Sequence, residues 1–124
     1  MFANSLSWGG TITTMAFAES PTVEEYVRTY FFDLPIMAEI ASCESRFRHF
    51  DSWGDILRGE ENPYDVGVMQ INEHFHLNTA KALGHNLYSL DGNLVYARYL
   101  YEKEGTTPWE ASTLCWGAQQ LAVR

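Results

Sequence analysis

The punctuation of this chain constrains its fold more than any other feature. Ser20-Pro21 offers an N-cap followed by proline at the first helical position, which opens a helix running to about Phe32. Asp33-Leu34-Pro35 ends that helix and starts a second one. The second carries Ile36, Met37, Ile40 and Ala41 on one apolar stripe and ends between Glu44 and Phe47. Further on, Asn72 or a nearby residue caps a stretch that ends at Gly84, and Asp91 caps a helix from Asn93 to Glu104 closed by Gly105. Thr107-Pro108-Trp109-Glu110 reads as a capping box that opens a last helix. Its stripe would be Ala111, Leu114, Cys115, Ala118, Leu121 and Ala122. Between the second and third helices the pattern changes. Asp51-Ser52-Trp53-Gly54, Arg58-Gly59 and Asn62-Pro63 are turn signals spaced by short segments, which suits a small antiparallel hairpin region up to Val68. The prediction is an α+β fold, mostly helical, with a small antiparallel β-hairpin insert.

No repeat, low-complexity tract or linker divides the chain, so residues 21–124 form one domain. Its 124 residues with 46% hydrophobic and 19% charged side chains suffice for one core. Residues 1–20 read as a leader remnant or an N-terminal extension. Ala16-Phe17-Ala18 has the small-x-small form of a signal-peptidase site, but no basic residue precedes it and polar residues interrupt the apolar run. No apolar run reaches the roughly 20 residues that span a bilayer. The formal net charge is −8, and the densest basic cluster is Arg46-Phe47-Arg48, so the chain lacks the face a nucleic-acid partner needs.

Glu44 is the most informative single residue. It follows Ile36 and Ile40 along the apolar stripe of its helix, so its carboxyl group is partly desolvated and its pKa raised. Such a glutamate can act as a general acid near neutral pH. The alternative is a frayed helix end with Glu44 turned to solvent. Tyr64 to Asn72 reads as a short strand, with Gly67 allowing a close approach of backbone or ligand. Gln70 and Asn72 are polar among apolar neighbours and need partners, structural or ligand. His74-Phe75-His76 lacks a third residue at metal-site spacing and reads as surface histidines. Asp51 and Asp55 lie in the turn-rich insert. Cys43 and Cys115 each sit near an apolar stripe, pointing inward, and the residues alone leave buried thiols and a disulfide equally open.

Together these segments resemble the lysozyme-like superfamily, and within it the soluble lytic transglycosylases. Cys43-Glu44-Ser45-Arg46-Phe47 is similar to the family's Glu-Ser-x-Phe segment, and Gly67-Val68-Met69-Gln70-Ile71 to its Gly-Leu-Met-Gln-Ile segment. Asn93 to Leu100 resembles its Asn-Ile-x-x-Gly-x-x-Tyr-Leu helix. The three occur in the family's order and cover about Pro35 to Trp116. The later Ala-Tyr-Asn-x-Gly segment is missing, replaced by Trp109 to Trp116.

The resemblance implies a peptidoglycan-cleaving enzyme. Glu44 would be the catalytic acid, with Ser45, Met69, Gln70 and Tyr96 as substrate-site residues, and with no metal or cofactor. Asp65 matches the second catalytic aspartate of animal-type lysozymes, which would favour hydrolysis; its other reading is a strand-end residue bonding a backbone amide. The cysteine placement resembles the resuscitation-promoting muramidases. It implies a Cys43–Cys115 disulfide and a secreted or periplasmic location. Two lobes should flank a groove with Glu44 at its floor, in a monomer that acts on glycan strands. A catalytically silent glycan-binding protein is the reading outside enzymes.

Overall fold

The computed structural model describes residues 19–123; Ala16-Phe17-Ala18 and the side chains of Leu121 and Ala122 lie outside the described residues. The fold is mixed, largely helical with one two-stranded antiparallel sheet. Helix α1 (Val23–Tyr30) is followed by α2 (Pro35–Ser45). Strands β1 (Asp65–Val66) and β2 (Ile71–Asn72) pair with Asp65 opposite Asn72 and Val66 opposite Ile71. Helices α3 (Glu73–Ala82) and α4 (Leu90–Glu104), a 3-10 helix (Thr107–Ser112) and α5 (Thr113–Val123) follow among the described residues.

Several boundaries differ from the sequence reading. Helix α1 is capped by Thr22 rather than Ser20, because Thr22 and Glu25 close a reciprocal capping box. Ser89 rather than Asp91 caps α4, its hydroxyl accepting from the Gly92 amide. Tyr64 to Asn72 is a complete hairpin rather than one strand. Gly67 (φ +78°) and Gln70 (φ 52°) turn the chain between β1 and β2. The segment before it makes only isolated bridges, Phe50 with Ile56 and Arg58 with Val66. The capping-box sequence at Thr107 forms a 3-10 helix without a side-chain cap, and Trp109 inside it is non-helical (φ −114°). That break shifts the phase of α5. Leu114, expected inward, is 94% exposed, and Ala118 is exposed as well.

The core gathers Val27 and Phe31 from α1, Met37, Ile40 and Ala41 from α2, the hairpin residues Val66, Val68, Met69 and Ile71, and Leu94, Tyr96 and Ala97 from α4. Helix α2 packs against both α1 and α5. A disulfide joins Cys43 on α2 to Cys115 on α5, with 6.0 Å between their Cα atoms. Cys43 is half-buried and Cys115 exposed, so the pair lies at the rim of the core, not inside it. Among the described residues no helix is long and apolar enough to cross a membrane.

Two buried polar side chains anchor the hairpin turn. Asn93 is completely buried on α4. Its Nδ2 donates to the carbonyls of Val66 (3.1 Å) and Leu87 (2.9 Å), and its Oδ1 accepts from the Met69 amide (2.9 Å). His49 Nδ1 accepts from the Val68 amide at 3.1 Å, so its Nε2 carries the proton and donates to the Tyr88 carbonyl at 2.9 Å. Burial holds the His49 pKa below its ordinary value, favouring the neutral ring this arrangement requires. Gly67 is the point of closest approach. A Cβ there would stand 2.5 Å from Asn93 Nδ2 and 2.7 Å from His49 Cε1. The close neighbours are thus two side chains.

Candidate active site

Glu44 lies in the last turn of α2, and the helix ends just beyond it because Arg46 and Phe47 both adopt left-handed conformations (φ 55° and 59°). Ser45 secures that end. It is buried, its hydroxyl donating to the Ala41 carbonyl (3.1 Å) and accepting from the Arg48 amide (3.3 Å). The Cys43–Cys115 bond fixes the other flank of Glu44. The carboxyl group is held from both sides by its own neighbours in sequence.

Two hollows meet at this carboxyl, one of about 320 Å³ and one of about 400 Å³, and both are lined by Glu44, Asp65, Gln70 and Ala111. They are arms of one groove with Glu44 and Asp65 at the junction. The first arm is walled by Ile71, Asn72, Phe75, His76, Leu100, Glu104, Pro108 and Trp109. The second runs along Gly59, Glu60, Glu61, Asn62 and Ser112. The first arm therefore sets apolar and aromatic side chains beside Asn72, His76 and Glu104, while the second is bordered by Glu60, Glu61 and backbone.

The two carboxyls at the junction, Glu44 and Asp65, hold their protons more tightly than ordinary carboxyls do. The pKa of Glu44 is raised above the ordinary glutamate value, first by burial, with the like charge of Asp65 adding to it. The Ser112 hydroxyl, 2.6 Å from Glu44 Oε2, opposes the shift by stabilising the carboxylate. Asp65 is raised as well, by burial, against the opposing hydrogen bond from Asn72 Nδ2 at 3.2 Å. Its partner is thus the side chain across the hairpin. A half-dry carboxylic acid facing a second carboxyl across a groove can deliver a proton to a bound acceptor and take one back.

The other residues singled out in the sequence are placed unevenly. Gln70 lines both arms, held in its left-handed conformation while its Nε2 donates to the Gly67 carbonyl at 3.0 Å. Ser45 and Met69 are buried and are not among the groove-lining residues. Met69 acts through its backbone, whose carbonyl accepts from Trp109 Nε1 at 2.8 Å and so sets the indole in the wall. Tyr96 is 1% exposed and stands behind His76, with its hydroxyl 2.9 Å from His76 Nδ1. Asp51 is committed to its turn, Oδ1 accepting from the amides of Trp53 and Asp55. His74 and His76 part company: His76 enters the groove while His74 packs between Tyr64 and Phe75. Among the described residues no three His, Cys, Asp or Glu side chains gather where they could hold a metal ion.

Sequence reasoning missed Ser112 and His76 as groove residues. A serine in a helix-start segment carries no pattern of its own, and a histidine pair fits an open surface as well as a wall. Ser112 could have been found only by asking which hydroxyl lies near Cys115, since the disulfide brings that stretch to Glu44.

No protein-family model, no curated protein and no solved structure matches this chain.

Proposed function

We propose that the chain is a muramidase that cleaves the β-1,4 bond between N-acetylmuramic acid and N-acetylglucosamine in peptidoglycan, acting as a lytic transglycosylase. One observation carries the reading: Glu44 is a partly buried carboxyl with a raised pKa, at the junction of a two-armed groove and opposite Asp65. Burial keeps the proton on Glu44 until a bridging oxygen lies beside it.

In this reading Glu44 gives its proton to the glycosidic oxygen as the bond from that oxygen to the muramoyl C1 breaks. The resulting carboxylate then takes the proton of the muramoyl C6 hydroxyl while the C6 oxygen bonds to C1. Glu44 returns to its acid form, and the product carries a 1,6-anhydro ring. Gln70 and Asn72 offer polar groups to the sugar, and Trp109 and Phe75 offer apolar faces. The disulfide supports a secreted or periplasmic setting, where such bonds persist.

A second reading, a hydrolytic lysozyme, is favoured by the placement of Asp65 in both arms and by its charge acting on Glu44. Asp65 would then assist an attacking water or stabilise the sugar cation. Its raised pKa weighs against that role, which requires the ionised form. Mass spectrometry of fragments released from purified peptidoglycan separates the two. Transglycosylation predicts anhydro ends, one water lighter than the reducing ends of hydrolysis. Saturable binding without any released fragment would instead support a catalytically silent glycan-binding protein.

A further inference from the structure

Ser112 closes the 3-10 helix and faces Glu44 where that helix packs against α2. Its hydroxyl has three polar neighbours: Glu44 Oε2 at 2.6 Å, the Trp109 carbonyl at 3.1 Å and Trp116 Nε1 at 3.1 Å. The indole N–H can only donate, so it gives its proton to Ser112 Oγ or to the Trp109 carbonyl 3.2 Å away. The serine has a single proton and two acceptors for it, Glu44 Oε2 and the Trp109 carbonyl. It can serve one at a time.

We propose that Ser112 is the positioning residue of Glu44, its hydroxyl changing from donor to acceptor toward the carboxyl so that the group is held in one place in both of its protonation states. When Glu44 is ionised, Ser112 donates to Oε2 and accepts from Trp116. When Glu44 carries its proton, the acid donates to Ser112 Oγ and the serine proton turns to the Trp109 carbonyl. No heavy atom moves, and every donor keeps an acceptor. A group that must act first as acid and then as base in one turnover needs such a partner, because a fixed donor would favour the carboxylate alone.

The inference rests on Glu44 being the proton-carrying group of the groove, but its test needs no glycan. The other ionisable groups around Glu44 are Asp65 on β1, Glu60 and Glu61 before it, His76 on α3 and Glu104 on α4. None of them is altered by a change at Ser112, so their fields are common to all variants. The experiment is an NMR titration of the whole disulfide-bonded protein. It follows the Glu44 carboxyl carbon and the Trp116 indole N–H in wild type, Ser112→Ala and Ser112→Thr. The bond to the charged carboxylate is the stronger of the two, so the inference predicts that the Glu44 midpoint rises in Ser112→Ala and returns toward wild type in Ser112→Thr. The indole signal should track that midpoint in wild type and lose most of its response in Ser112→Ala. Equal midpoints in the three proteins would overturn the inference. So would an indole signal in wild type that stays flat through the Glu44 titration, a result that needs no variant to fold. In glycan cleavage, Ser112→Ala should lower kcat by about tenfold with KM little changed. A wild-type protein that releases no fragment would remove the muramidase reading and leave the titration result in force.

Discussion

Replacing Asn93 by alanine removes one of the two buried polar side chains that anchor the hairpin turn. The side chain is completely buried and makes three hydrogen bonds, to the carbonyls of Val66 and Leu87 and from the amide of Met69. Each such bond contributes roughly 1 kcal/mol net, and the buried Met69 amide would be left without its acceptor, so the expected loss is about 3 to 4 kcal/mol. For a domain of this size that corresponds to a fall in Tm of roughly 12 to 16 °C. Urea unfolding followed by tryptophan fluorescence measures it, with the slope unchanged if only the folded state is weakened. Asn93→Asp should also destabilise, because a carboxylate cannot donate to the two carbonyls. The effect should reach the groove, since Gln70 rides on the turn that Asn93 holds. A loss under about 1 kcal/mol in Asn93→Ala would refute the view that this side chain holds the turn.

Two further outcomes follow from the same geometry. Reducing the Cys43–Cys115 bond, which closes a loop across 72 positions, should cost about 4 kcal/mol in the chain-entropy account; an identical thermal melt with and without a thiol reductant would contradict it. Glu44 binds its proton more tightly folded than unfolded, so it makes the protein less stable as pH rises from the ordinary glutamate range through the folded pKa, with no further change above. Glu44→Gln should therefore melt higher than wild type at neutral pH, and the gap should close in acid; a gap independent of pH would show that burial does not govern this carboxyl.

Much of this was legible in the sequence because local signals and tertiary packing agree. Pro35 at the start of α2, Asn72 at the start of α3 and Gly105 at the end of α4 each do what their chemistry prescribes. Glu44 is partly buried at the end of the stripe of Ile36 and Ile40, as its spacing implies. The failures have local causes. Ser20 and Thr22 are both good caps, and only Thr22 has a glutamate three residues on. The Gly67–Gln70 turn was hidden because Val68 and Met69, which look like strand residues, are buried within a turn. The break falls at Trp109, whose indole reaches the Met69 carbonyl, a contact between distant segments that no local pattern encodes. Of the candidate site, Glu44, Asp65 and Gln70 line the same groove. Ser45 and Met69 share those motifs but support the site from within the core.

The central claim is that one carboxyl, Glu44, carries the proton for cleavage. Fragment release from purified peptidoglycan by wild type and by Glu44→Gln, at matched concentration and with folding checked by thermal melting, tests it most directly. The account predicts soluble anhydro-ended fragments from wild type, fewer as the pH rises past the Glu44 midpoint, and none above background from the variant. Equal release by the two proteins would contradict it.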